Sequence, residues 1–130
     1  MKAITQEWIN FAKADLRSCE NNLNDEFLTS IVAFHCQQAV EKCFKAIIEE
    51  YGLGLKRIHN LFSLYNIIKE HVTYEIAIDK LELLDELYTS SRYPGEIGLM
   101  PNGKPNQSDA IEMYDFAQYI FDRTTEMLSK

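Results

Sequence analysis

The segment Ile31–Glu50, IVAFHCQQAVEKCFKAIIEE, decides the fold. Twenty residues run without Gly or Pro, and their Ala, Glu, Gln and Lys content makes a strong helix former. At about 100° per residue, Val32, Ala33, Cys36, Ala39, Val40, Cys43, Phe44 and Ile47 share one wide apolar face. His35, Gln38, Lys42, Lys45 and Glu49 fall on a separate stripe roughly 80° wide. A face that broad belongs to a helix packed against several neighbours. The polar stripe is then either the solvent side of this helix or a functional seam.

Working outward, Thr5–Leu23 predicts a first helix with Thr5 as N-cap and Trp8, Phe11, Ala12, Leu16, Cys19 and Leu23 inward. The polar break Asn21–Asp25 is short, so this helix and the central one form an antiparallel hairpin, with Asp25 placed to cap the second. Gly52 offers a left-handed C-terminal cap. His59–Glu70 predicts a short third helix with Leu61, Leu64, Tyr65 and Ile68 inward, and Tyr74–Ser90 a fourth on Ala77, Leu81, Leu84, Leu87 and Tyr88. Residues 93–107 hold all three prolines and three of the five glycines, which makes them the long loop of the domain. Ser108 or Asp109 is expected to cap a last helix running to about Leu128, with Ile111, Tyr114, Ala117, Phe121 and Leu128 apolar. No stretch alternates with period two. The expected fold is a single all-α domain over residues 1–130, an antiparallel up-and-down bundle of four to five helices.

A chain of 130 residues can bury enough surface for a core without staples. No apolar run approaches the ~20 residues of a membrane span, the N-terminus has no signal-peptide core, and a cytoplasmic location is expected. Cys19, Cys36 and Cys43 form no CxxC pair and read as buried reduced thiols, with no metal site expected. The formal charge is −7, with seven basic and eight acidic groups in residues 1–65 but six and twelve in residues 66–130. Such a domain is a poor general nucleic-acid binder. A local patch of Lys42, Lys45, Lys56 and Arg57 still suits a single phosphate or one RNA backbone.

Four fragments carry a resemblance. Trp8-x-x-x-Ala12-x-x-Asp15-Leu16 opens the first helix, and Phe34-His35-x-Gln37-Gln38-Ala39-x-Glu41-Lys42-x-x-Lys45-Ala46 fills the second. Ile58-His59-Asn60-Leu61 starts the third, and Ser91-Arg92-Tyr93-Pro94 precedes the long loop. Together they resemble the HEPN domain, named for higher eukaryotes and prokaryotes nucleotide binding. The customary HDL of the third helix is His59-Asn60-Leu61 here, an amide in place of a carboxylate. The resemblance implies a helical bundle that pairs with itself and often accompanies a minimal nucleotidyltransferase, in some cases within toxin–antitoxin systems. Another branch of the family comprises metal-independent ribonucleases with an Arg-x4–6-His motif. The windows after Arg17, Arg57, Arg92 and Arg123 contain no histidine, so that motif is absent.

Acid–base cleavage of RNA needs a group titrating near neutrality beside a cation that stabilises the charged phosphorane. His35 stands with Gln38 and Lys42 on the polar stripe, where it is either a hydrogen-bonded seam residue or a site residue. His59 is expected to bond an exposed backbone group at a helix start, and His71 to interact with a helix dipole. Lys42 and Lys45 can form a salt-bridged face, Lys45 with Glu41 or Glu49. Arg92 is a helix-end anchor or a bidentate phosphate ligand, in a turn that Pro94 restricts at Tyr93.

The candidates for ligand or nucleotide binding are therefore His35, Gln38, Lys42, Lys45, Arg92 and Tyr93. No catalytic residue, metal or cofactor is assigned. The expected function is a non-catalytic, HEPN-like interaction or nucleotide-binding module, homodimeric and partnered by a nucleotidyltransferase. The alternatives are a toxin-like ribonuclease with a non-standard active site and a stand-alone nucleotide-binding protein. The long loop suggests a two-fold dimer that brings Arg92 and Tyr93 of each chain towards a shared cleft.

Overall fold

A computed structural model describes residues 1–91 and 104–130. Five α-helices follow one another: α1 (Ala3–Asn22), α2 (Thr29–Glu50), α3 (Leu61–Ile68), α4 (Ile78–Ser91) and α5 (Gln107–Leu128). A single 3-10 turn, Glu26–Leu28, leads into α2. The expected all-α antiparallel bundle is the observed one, and the described residues contain no strand.

Helix α2 is the axis, touching each of the other four helices. The eight residues predicted for its apolar face are all buried, none more than 1% exposed. The α1–α2 pair is antiparallel: Lys2 and Thr5 bond Glu50 at one end, and Cys19 meets Val32 and Cys36 at the other. Tyr114 and Gln107 of α5 reach Glu20 and Leu23, so α5 also runs antiparallel to α1. Helix α4 packs mainly on α2 and α3 and barely meets α5.

Local chemistry sets the helix ends. At the end of α2, Gly52 has φ +62°, and its N–H bonds the Glu49 carbonyl while that of Leu53 bonds Ile48. That pair of bonds satisfies two otherwise orphaned carbonyls and needs the left-handed residue only glycine adopts cheaply. Asp25 caps the 3-10 turn by accepting from the Phe27 N–H. Asn60 caps α3 by accepting from Ser63, a task asparagine and aspartate do equally well.

Several expectations are corrected. Helix α1 begins at Ala3, before Thr5, because the Thr5 hydroxyl turns inward to Glu50 at 3.0 Å. The cap of α5 is Asn106, not Ser108 or Asp109; Asp109 is instead the third helical residue, completing a reciprocal capping box. Tyr74 and Ala77 precede α4, since the Tyr74 hydroxyl bonds Thr124 and the Glu75 carbonyl accepts from Tyr119. Phe11 and Ile111 lie outside the core, whose members on those helices include Ile9, Met113, Phe116 and Ile120.

Candidate functional site

The polar stripe of α2 is organised by two buried carboxylates. Asp15, on α1, accepts from Lys42 Nζ at 2.6 Å and lies 2.8 Å from Nδ1 of His35. Its backbone faces α2 because Ala12, Leu16 and Cys19 on the same side are core residues. The second carboxylate, Glu41, belongs to α2 itself. It lies 3.0 Å from both Lys45 Nζ and His59 Nδ1.

Gln37, wholly buried, links this second network to α3 and α4. Its amide nitrogen donates to the His59 carbonyl at 3.0 Å and lies 3.4 Å from Glu41 and 3.5 Å from Asp85. Its amide oxygen accepts from Gln38 at 2.9 Å. Asp85, on α4, receives the Leu61 N–H at 2.9 Å, with that of Phe62 at 3.4 Å. The carboxylate thus fastens α4 to the positive end of α3, where unpaired N–H groups need an acceptor.

Aromatic rings of α1 cover the lysines. Lys42 Nζ stands 5.9 Å from the centre of Phe11, and Lys45 Nζ 5.6 Å from that of Trp8. Both ammonium groups therefore have a carboxylate on one side and a ring face on the other. Phe34 stacks on Tyr88 at 5.3 Å and meets His35 edge-on at 5.2 Å. The His35 imidazole is held by Asp15 through one nitrogen while the ring remains partly exposed.

Burial pushes the Asp85 carboxyl above its ordinary value of 3.8, against the lowering effect of the Leu61, Gln37 and Phe62 hydrogen bonds; Glu41 nearby adds to the rise. The folded protein thus binds this proton more tightly than the unfolded chain. Acidification through the window between the unfolded and folded values should add stability, and raising the pH through it should remove that gain. We expect Asp85→Asn to flatten this part of the curve of urea stability against pH; an unchanged slope refutes the assignment.

The structure brings together four of the six residues proposed from sequence: His35, Gln38, Lys42 and Lys45 all participate in the two networks. The expectations for Arg92, Tyr93 and most of the loop 93–107 lie outside the described residues. His59 is corrected from a backbone-bonding residue to a partner of Glu41. His71 stacks its ring on Tyr51 at 4.4 Å. Asp15, Glu41, Gln37 and Asp85 were not singled out as site residues. Glu41 was expected only as a salt-bridge partner of Lys45, at helical spacing; Asp15 and Gln37 had no signal beyond membership of the Trp8–Leu16 and Phe34–Ala46 fragments, and Asp85 had none. No group of three or more metal-ligating side chains forms among the described residues.

A helical bundle with an ion-paired seam between α1, α2 and the start of α3 is the class that fold and site define. The chain belongs to the HEPN domain family, whose profile matches residues 5–128. Among solved structures it is similar to TT1696 from Thermus thermophilus, with a TM-score of 0.79, 23% identity, and coverage of 97% of this chain and 99% of that one. It is also similar to ST0689, described as an archaeal HEPN homologue, with a TM-score of 0.68, 25% identity, and coverage of 97% and 98%. A search of curated proteins gave no match.

Proposed function

We propose that this chain is a non-catalytic HEPN-type interaction module that homodimerises and works with a minimal nucleotidyltransferase or another nucleotide-handling partner in the cytoplasm. The observation that carries this reading is the commitment of the polar stripe to internal bonds. Lys42 is held by Asp15 and Lys45 by Glu41, so neither is an uncommitted cation for a phosphate. His35 and His59 are fastened to the same carboxylates. The Arg-x4–6-His spacing is missing as well. Such a seam favours a firm scaffold presenting its outer surface to protein partners. Phe27, 83% exposed on the turn before α2, and Phe11 are apolar groups available for contact.

A second reading has one specific observation in its favour. A buried carboxylate orienting a partly exposed imidazole, as Asp15 does for His35, is also how a general base is prepared. One preparation of the purified protein tests both. Sedimentation at micromolar concentration should give twice the 15.1 kDa chain mass, and a nucleotidyltransferase encoded beside this protein should co-sediment with it. Single-stranded RNA in chelator should stay intact. Cleavage that disappears in His35→Ala would replace the interaction reading by the ribonuclease one; a 15.1 kDa species throughout would remove the homodimer.

A further inference from the structure

An open cleft of about 710 Å³ lies between α3, the start of α4 with the segment before it, and the middle of α5, and it shares no lining residue with the α2 seam. Tyr65, Tyr74, Phe116 and Tyr119 line it, with the carboxylates of Glu75 and Asp115 beside them. Two of the rings are fixed from behind. Tyr74 bonds Thr124 at 2.6 Å, and the Tyr119 hydroxyl donates to the Glu75 carbonyl at 2.8 Å. Their planes stand at 87° with centres 6.1 Å apart, forming an aromatic corner. Burial also keeps the Tyr74 hydroxyl protonated well above its ordinary value.

The protein already places an ammonium group on this surface. Lys80 Nζ stands 5.7 Å from the centre of Phe116 and pairs with no carboxylate among the described residues. Glu75 and Asp115 likewise have no ion-pair partner there. Ring faces attract cations, and two exposed carboxylates strengthen that attraction while repelling phosphates. Apolar side chains of Ile76 and Ala77 complete the lining and suit alkyl substituents.

We propose that this cleft is a binding site for an alkylated ammonium group, with Tyr74 and Tyr119 as its walls, Glu75 and Asp115 as its counter-charges and Lys80 as an internal competitor for the Phe116 face. The site is separate from the α2 seam and independent of the interaction reading above. The same chemistry is offered by a free quaternary amine or by a trimethylated lysine side chain.

Titration of the intact protein with choline, followed through the ring NMR signals of Tyr74 and Tyr119, tests the proposal. Choline should shift both sets saturably. Its neutral isostere 3,3-dimethyl-1-butanol should bind at least about fivefold more weakly, as loss of a cation–ring contact implies. Tyr119→Ala should weaken choline by a similar factor, and Lys80→Met should tighten it. If Tyr119→Ala fails to fold, Asp115→Asn on the exposed surface decides, with weaker binding expected. N-acetyl-trimethyllysine amide separates the sources: tighter binding than choline marks a protein side chain as the ligand, and equal or weaker binding a free amine. No ring shifts with choline, equal binding of the neutral isostere, or adenosine monophosphate shifting the same rings as strongly would each overturn the proposal.

Discussion

Phe44→Ala should lower the stability of this protein by about 3–5 kcal/mol, the range for truncating a fully buried phenylalanine. Phe44 is among the largest wholly buried side chains and lies on the helix that touches all others. Its loss removes apolar contacts from a close-packed interior, and the surrounding side chains have little freedom to collapse into the space. Against the roughly 5–15 kcal/mol that holds a typical domain together, such a cost consumes much of the stability. Urea denaturation followed by far-ultraviolet circular dichroism measures it. Phe11→Ala is the control: Phe11 is 58% exposed, and truncating it should cost far less. Equal costs at the two positions would mean that the burial pattern of α1 and α2 is wrong.

Glu41→Ala should be nearly as damaging, at about 3–5 kcal/mol, because it leaves a largely covered cation without its partner. Lys45 has only 11% of its side chain exposed, and Glu41 is its carboxylate. The Trp8 ring would remain beside the ammonium but cannot replace the lost charge. Gln37 would also lose a neighbour within its buried hydrogen-bond cluster. Glu41→Gln preserves the volume and an acceptor oxygen and should recover part of the loss. His59→Ala removes the other partner of the same carboxylate, but that imidazole is 65% exposed and its loss should cost under about 1 kcal/mol. A Glu41→Ala cost below that of His59→Ala would show that Lys45 finds solvent easily and that the network has little structural weight.

The outcome along α2 explains what sequence could reveal. Its eight apolar positions fall at helical spacing on one side, so period alone identified the buried face. Gln37 and Glu41 are equally enclosed, yet nothing in their type predicts it, since such residues are usually exposed. Their burial depends on partners far apart in sequence: Asp85 on α4 and His59 in the segment before α3, with Lys45 one turn along α2. Asp15 is the same case seen from α1: a carboxylate among core positions whose partners lie 20 and 27 residues away. On α5, apolar residues occupy more than one face, and the expected set of Ile111, Tyr114, Ala117, Phe121 and Leu128 omits the buried Met113, Phe116 and Ile120 while including the exposed Ile111. The start of α4 was misplaced because tertiary bonds from Thr124 and Tyr119 hold Tyr74 and Glu75 in a non-helical approach.

The three thiols make this protein a recorder of its own opening. Cys19 and Cys36 touch sulfur to sulfur at 3.6 Å across the α1–α2 contact, and Cys43 is sealed further along α2. The bond from Cys19 and burial hold the Cys36 thiol well above its ordinary value, and burial does the same at Cys43. In the closed protein neither sulfur ionises near neutrality nor meets a reagent, and the thiolate is the reactive form. Alkylation at these positions therefore requires transient separation of the helices, and its rate reports the population of that opened state. The lifetime of these thiols under electrophiles is then governed by how often the bundle opens.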